Sequence, residues 1–203
     1  MGFEKIQEGL ASLLTDARLR ERFFVDPLKV GQEMGLSREE SRQLSQLSAP
    51  HADHAAASTD SKRLVAVGKL LPLTQRMLQH RFNTFFREYA ETHVSLGVQE
   101  HLGDALAFAA YIEARARTER LEPRWALDLL RYEKARLRAA DPARRFVVCY
   151  FRHDISKLVR SAARREETLA VFARPAVAVW WRPRRRGTVR YAVLVTPNLF
   201  RRP

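Results

Sequence analysis

Ala176-Val177-Ala178-Val179-Trp180-Trp181-Arg182, Pro183-Arg184-Arg185-Arg186-Gly187 and Thr188-Val189-Arg190-Tyr191-Ala192-Val193-Leu194-Val195 follow one another near the end of this chain. The outer two stretches are rich in β-branched and aromatic residues, and the basic stretch between them is bounded by Pro and Gly, which is turn chemistry. Together they read as a β-hairpin. Upstream, Phe146-Val147-Val148-Cys149-Tyr150-Phe151 is a continuous apolar run of strand length, following a break at Asp141-Pro142. His153-Asp154-Ile155 opens a short helix, with Asp154 as its cap and Ile155, Leu158, Val159 and Ala162 as its apolar face. Leu169 to Phe172 reads as one more short strand.

Outward from that module the chain reads as helical. Ile6, Leu10, Leu13 and Leu14 recur at helical spacing, and Thr15-Asp16 caps a second helix through Leu19, Phe23 and Phe24. Asp26-Pro27 restarts the chain, Gly35 stops it after Val30 and Met34, and Ser37-Arg38-Glu39-Glu40 is a capping box for a helix burying Leu44 and Leu47. Residues 48–61 are small and polar, with His51, Asp53 and His54 among them, which is a linker composition. Leu71-Pro72 breaks the next helical stretch. Met77, Phe82, Phe85, Phe86 and Tyr89 then form an aromatic stripe, which is core by default. Asp104 to Ala116 buries Leu106, Phe108, Ala109 and Ile112, and a last helix opening at Pro123 carries Trp125, Leu129, Leu130, Tyr132 and Glu133. The expected fold is α+β: a helical N-terminal two-thirds followed by a small strand-containing module with a C-terminal β-hairpin, winged-helix-like or peptide-recognition-like. The expected division is a helical module over 1–47, a linker over 48–61, a helical domain over 62–141 and a basic α/β module over 142–203.

Charge sharpens that division. Of the net +13, residues 1–140 contribute +2 (21 Lys/Arg against 19 Asp/Glu) and residues 141–203 contribute +11 (15 against 4). A field of one sign on one module suits an anionic partner, either an acidic peptide or protein face or a nucleic acid. A solvated basic surface is the bland alternative. The single cysteine, Cys149, can form no internal disulfide and fits a reducing cytoplasm. No stretch reaches the roughly 20 apolar residues of a membrane span, so a cytoplasmic location without membrane attachment is expected.

The sequence contains no glycine-rich phosphate loop, paired-Cys motif, nucleophile elbow or paired-His zinc helix. His80, His93, His101 and His153 share no spacing, and His51 with His54 lacks a second cluster to complete a metal site. No catalytic residue, metal ligand or cofactor is assigned to this chain. The binding signal lies in the hairpin. Trp180 and Trp181 point to opposite faces of their strand, so one can be core and the other exposed. Arg182, Arg184, Arg185, Arg186 and Arg190 surround them, and Arg152 follows the first strand. These eight residues are the candidate peptide-binding set. An exposed strand edge can accept an extended peptide while arginines neutralise its acidic side chains. The same hairpin could instead be the wing of a winged helix, with arginines on DNA phosphates.

Two sets of motifs resemble known families. Leu14-Thr15-Asp16-Ala17-Arg18-Leu19-Arg20-Glu21-Arg22-Phe23 with Asp26-Pro27 and Gly35-Leu36-Ser37 resembles the non-catalytic small subunit of extradiol ring-cleavage dioxygenases. Leu71-Pro72-Leu73-Thr74, Phe82 to Tyr89, Asp104-Ala105, Phe108-Ala109 and Leu130-Arg131-Tyr132-Glu133 are similar to partner proteins of multinuclear non-haem iron oxidases, of the methanobactin-partner type, that modify cysteines in ribosomally made peptides. The resemblance implies that iron and catalysis belong to a companion oxidase. This chain would pair with that enzyme as a heterodimer and present a precursor peptide, expected to be acidic, through its strand module.

Overall fold

The computed structural model describes residues 2–47, 49–93, 101–119, 121–164, 174–184 and 187–195. The fold is α+β, mostly helical with a small three-stranded antiparallel sheet toward the C-terminal end. The expected strand at Leu169–Phe172 lies outside the described residues. The chain forms two compact units, Met1–Val65 with Phe86–Glu100, and Ala66–Phe85 with His101–Pro203.

In the first unit, capping chemistry places each helix boundary. Helix α1 (Gly2–Thr15) gives way to α2 (Ala17–Val25) at Asp16, whose carboxylate accepts from the Leu19 N–H at 2.9 Å. Asp26 caps α3 (Pro27–Glu33) in the same way, with Pro at the first turn. Gly35 ends that stretch at φ +76°, a left-handed conformation that disfavours any side chain. The capping box at Ser37 and Glu40 then opens α4 (Arg38–Ser45). Leu13, Phe23, Val30, Leu36 and Leu44 close the core of these four helices. Gly31 permits the closest approach, since a Cβ there would lie 2.0 Å from Ser41 Oγ. Leu47, expected to be buried, is exposed: α4 ends at Ser45, before a further turn can carry it inward.

The expected linker is corrected. Residues 49–61 are helical, the opening part of α5 (Ala49–Leu70). Alanines at 52, 55, 56 and 57 favour helix, and Ala52 and Ala56, four apart, are buried on one face. Small residues here allow close packing. Asp53 binds Arg20 at 2.7 Å, so this stretch has a tertiary partner.

In the second unit, Pro72 starts α6 (Pro72–Leu78), and Gln79 at φ +50° separates it from α7 (His80–Thr92), which belongs to this unit up to Phe85 and to the first from Phe86. The aromatic stripe is thereby divided, with Met77 on α6 and the four aromatic rings on α7. Helix α8 (His101–Thr118) buries Phe108 edge-on to Phe82, their centroids 5.1 Å apart. Helix α9 (Ala126–Ala140) leads into β1 (Phe146–Phe151), α10 (Ile155–Arg164), β2 (Ala176–Trp181) and β3 (Arg190–Val195). The strand order is β1-β2-β3, both pairs antiparallel. Leu129, Ala135 and Ala139 of α9 share one core with Phe151, Ala178 and Trp180 of the sheet and with Ile155 and Leu158 of α10. The basic module is therefore no separate domain, because its inner sheet face has α9 as its cover.

Candidate functional site

Strand register sorts the sheet's side chains into two faces. Inward lie three rows across β1, β2 and β3: Val147–Trp180–Tyr191, Cys149–Ala178–Val193 and Phe151–Ala176–Val195. Outward lie Phe146–Trp181–Arg190, Val148–Val179–Ala192 and Tyr150–Val177–Leu194. Eight of these nine outward residues are apolar or aromatic. Phe146 is 67% exposed, Val148 63%, Tyr150 56% and Leu194 67%. The inward face is core across β1 and β2, with Tyr191 and Val195 of β3 partly exposed at its margin; the outward face is an apolar surface.

Among the described residues each outer strand pairs with β2 alone. β3 is exposed at five of its six positions, and Val193 is the half-buried one. It is the open edge beside the arginine turn.

The sequence-derived site residues divide accordingly. Trp180 is only 4% exposed and packs at a tilt against Tyr191 (centroids 5.0 Å apart) and Tyr132 (5.7 Å), which also meet each other edge-on. Its assignment to peptide contact is thus corrected: it is a core anchor. Trp181 is half-buried on the outward face, opposite Arg190. Arg182 is also reassigned. Its Nη1 donates to Gly187 O at 2.8 Å, and its Nη2 donates to Ala139 O and Ala140 O at 3.2 Å each. It therefore ties the hairpin turn to the carbonyl end of α9, where a cation is favoured. Arg184 and Arg190 are exposed, whereas Arg185 and Arg186 lie outside the described residues. Arg152 is exposed but follows Phe151, at the opposite end of the strands from Trp181 and Arg190. Six residues of strand span about 20 Å, so Arg152 does not join the hairpin cluster.

Sequence reasoning missed the polar groups of α9 that position this sheet. Buried Asp128 accepts through Oδ2 from the backbone N–H groups of Arg152 (2.9 Å) and His153 (3.0 Å). His153 Nδ1 lies 2.8 Å from the same oxygen. A carboxylate only accepts, so Nδ1 carries the proton. One carboxylate thereby holds the corner between β1 and α10. One turn and a half along, Glu133 accepts from Leu73 N (2.8 Å), Thr74 N (2.9 Å) and Thr74 Oγ1 (2.7 Å). Pro72 has no N–H and Leu71 supplies no side-chain cap, so Glu133 caps α6 from another helix. Burial pushes the Glu133 carboxyl above the ordinary carboxylate range, opposed by these donors. The available signal was an acidic residue on a helix face otherwise made of Leu129, Leu130 and Leu137.

Two other groups in or near the inner face bear on chemistry. Burial pushes the Cys149 thiol up to about 11, so it remains protonated and a weak nucleophile at neutral pH. Burial beside Tyr132 likewise raises the Tyr191 phenol. Among the described residues no three His, Cys, Asp or Glu side chains converge as a metal site requires, and no helix is long and apolar enough to cross a membrane. The sheet thus presents an exposed strand edge, an apolar outward face and exposed arginines at its two ends. No family model matches the chain, and no curated protein shows significant similarity to it.

Proposed function

We propose that this chain is a non-catalytic cytoplasmic partner protein that captures an acidic precursor peptide and docks it to a companion iron-dependent oxidase in ribosomal-peptide modification. The observation that carries the reading is the β3 edge, exposed at five of its six positions, unpaired on its outer side among the described residues and adjacent to Arg184 and Arg190. An extended peptide laid along β3 gains main-chain hydrogen bonds from the strand. Acidic side chains on that peptide gain charge-assisted contacts from the two arginines. Electrostatic complementarity mainly raises the association rate and selects the partner. The resemblance of Leu71-Pro72-Leu73-Thr74 and Leu130-Arg131-Tyr132-Glu133 to oxidase partner proteins supports the same reading. Those two stretches meet in the fold, through the Glu133 bonds to Leu73 and Thr74.

Fluorescence-anisotropy titration of the full chain with a labelled, extended 15-residue Asp/Glu-rich peptide tests capture. Saturable binding that weakens about tenfold in Arg184→Glu/Arg190→Glu is expected, equivalent to about 1.4 kcal/mol. Unchanged affinity in that variant removes the β3 edge from the mechanism. A 20-base-pair DNA duplex serves as the competing ligand in the same assay. Tighter, sequence-dependent duplex binding that survives 0.15 M salt would replace peptide capture with DNA recognition. Co-purification with a candidate iron oxidase checks the docking half.

A further inference from the structure

The outward face of the sheet has no role in the edge reading, and its chemistry is distinct. Three rows of three residues, eight of them apolar or aromatic, form a continuous surface, and among the described residues no helix of the sheet's own core lies over it. Apolar surfaces of this kind on soluble domains mark interaction sites. Three points identify the occupant.

The first is size. Each strand is six residues long. The face is therefore about 20 Å along the strands and about 10 Å between the outer strand axes. An α-helix with its side chains is about 10–12 Å across and advances 1.5 Å per residue, so one helix of about 14 residues covers it.

Charge is the second. Arg190 stands exposed in the end row of the outward face beside Trp181, with Arg184 exposed in the adjoining turn, and Arg152 stands exposed just past Phe151 at the other end. No strand of the sheet carries a carboxylate. Asp141 and Asp154, which flank β1 in the chain, are engaged within the fold: Asp141 lies 3.6 Å from Arg144, and Asp154 Oδ1 accepts from Lys157 N at the start of α10.

The third excludes a second copy of this chain. Both ends of the face are basic, so two such faces brought together place arginine against arginine in either orientation. Like charges facing one another across an interface are disfavoured. A helix with acids at both ends and apolar residues along one face meets no such opposition.

We infer that the outward face of the β1-β2-β3 sheet is a docking surface for one amphipathic helix of a partner protein, apolar along its contact face and acidic at both ends. Phe146, Val148, Tyr150, Trp181 and Leu194 supply the apolar contact, and the arginines at the two ends set orientation and exclude basic partners. This surface shares β3 and its arginines with the edge but does not depend on capture of an extended peptide there.

The probe is a fluorescein-labelled, hydrocarbon-stapled 14-residue helix with Leu at i, i+3, i+4, i+7 and i+11 and Glu at both ends. The staple matters because a free helix of this length is marginal in water, and a stapled helix cannot add to the sheet as a strand. Full-length protein at 0.15 M salt is expected to bind it saturably. Val148→Ser/Leu194→Ser should weaken binding about tenfold, and a probe with Lys in place of Glu should not bind. Both substitutions are at exposed positions, and an unchanged melting temperature checks that the variant is folded. Absence of saturable binding overturns the inference, as does equal affinity of the Lys probe or an affinity within twofold in the face variant. A dimer in sedimentation equilibrium that the face variant dissociates also overturns it, by giving the face to a second copy. The two surfaces are told apart by crossing the assays. Loss of extended-peptide binding with stapled-helix binding retained rejects the edge reading alone, and the reverse rejects the face alone.

Discussion

The two faces of the β1-β2-β3 sheet are nearly alike in composition and opposite in environment. Val147, Phe151 and Trp180 face α9 and α10 and are buried, while Phe146, Val148 and Tyr150, from the same strand as the first two, face outward and are more than half exposed. Alternation places successive side chains on opposite faces, but it leaves open which face receives a cover. Here the cover is decided by α9, whose apolar side packs on one face only, while buried Asp128 holds the backbone just past β1. Hydrophobicity therefore made this sheet, whereas helix placement divided it into a core and a surface.

The largest effect that would break the comparison lies on the inner face. Trp180→Ala should cost about 3–5 kcal/mol, because a well-packed ring between Tyr132 and Tyr191 is replaced by a cavity. Urea denaturation checks it. A cost near that of an outward substitution would show that the inner face is not the core.

A smaller effect concerns how α9 holds the helix beside the sheet. Glu133→Gln should cost about 1–3 kcal/mol, since the amide cannot satisfy three donors and brings its own N–H₂ toward them. The wild-type chain also has a pH signature. The folded-state pKa of Glu133 is raised above its unfolded value, so this group's contribution to stability is present at low pH. It is lost as pH rises through the raised folded value, above the ordinary carboxylate range. The stability difference between wild type and Glu133→Gln should therefore shift against the wild type over that window, measured by denaturation at a series of pH values. A difference independent of pH would leave the carboxyl unperturbed.

The smallest effect is expected on the outer face. Val148→Ser alone should change stability by no more than about 0.5 kcal/mol, because the side chain is already in water. Thermal unfolding checks this, and a loss of several kcal/mol would mean that something within the chain covers the face. Together the three substitutions separate the sheet's core face and its exposed face from the polar cap on the helices beside it.

Local chemistry made much of this legible. Asp16, Asp26, Ser37 and Asp154 cap helices where their residue types indicate, because a cap acts over three residues and needs no tertiary partner. The strand Phe146–Phe151 and the hairpin followed from apolar runs and turn residues. The same local reading took residues 48–61 for a linker. It weighed polarity and missed Ala52 and Ala56, whose small side chains are useful only when a neighbour packs closely against them. The candidate site was read less well. Arginine density picked out Arg182 with the rest, yet its guanidinium is bound to the carbonyls of Ala139, Ala140 and Gly187, two of them over forty residues away in the chain.

The sequence by itself determined the α+β class, most helix boundaries, the pairing of β2 with β3 and the concentration of positive charge in the last third. Each follows from interactions between residues a few positions apart, or from a sum that needs no geometry. Tertiary structure alone decided which tryptophan is buried, which arginines are tied to backbone carbonyls, and which of two equally apolar sheet faces stays open. Those outcomes depend on where α9 lies against the strands, and groups distant in the chain settle that through packing and the satisfaction of buried polar atoms.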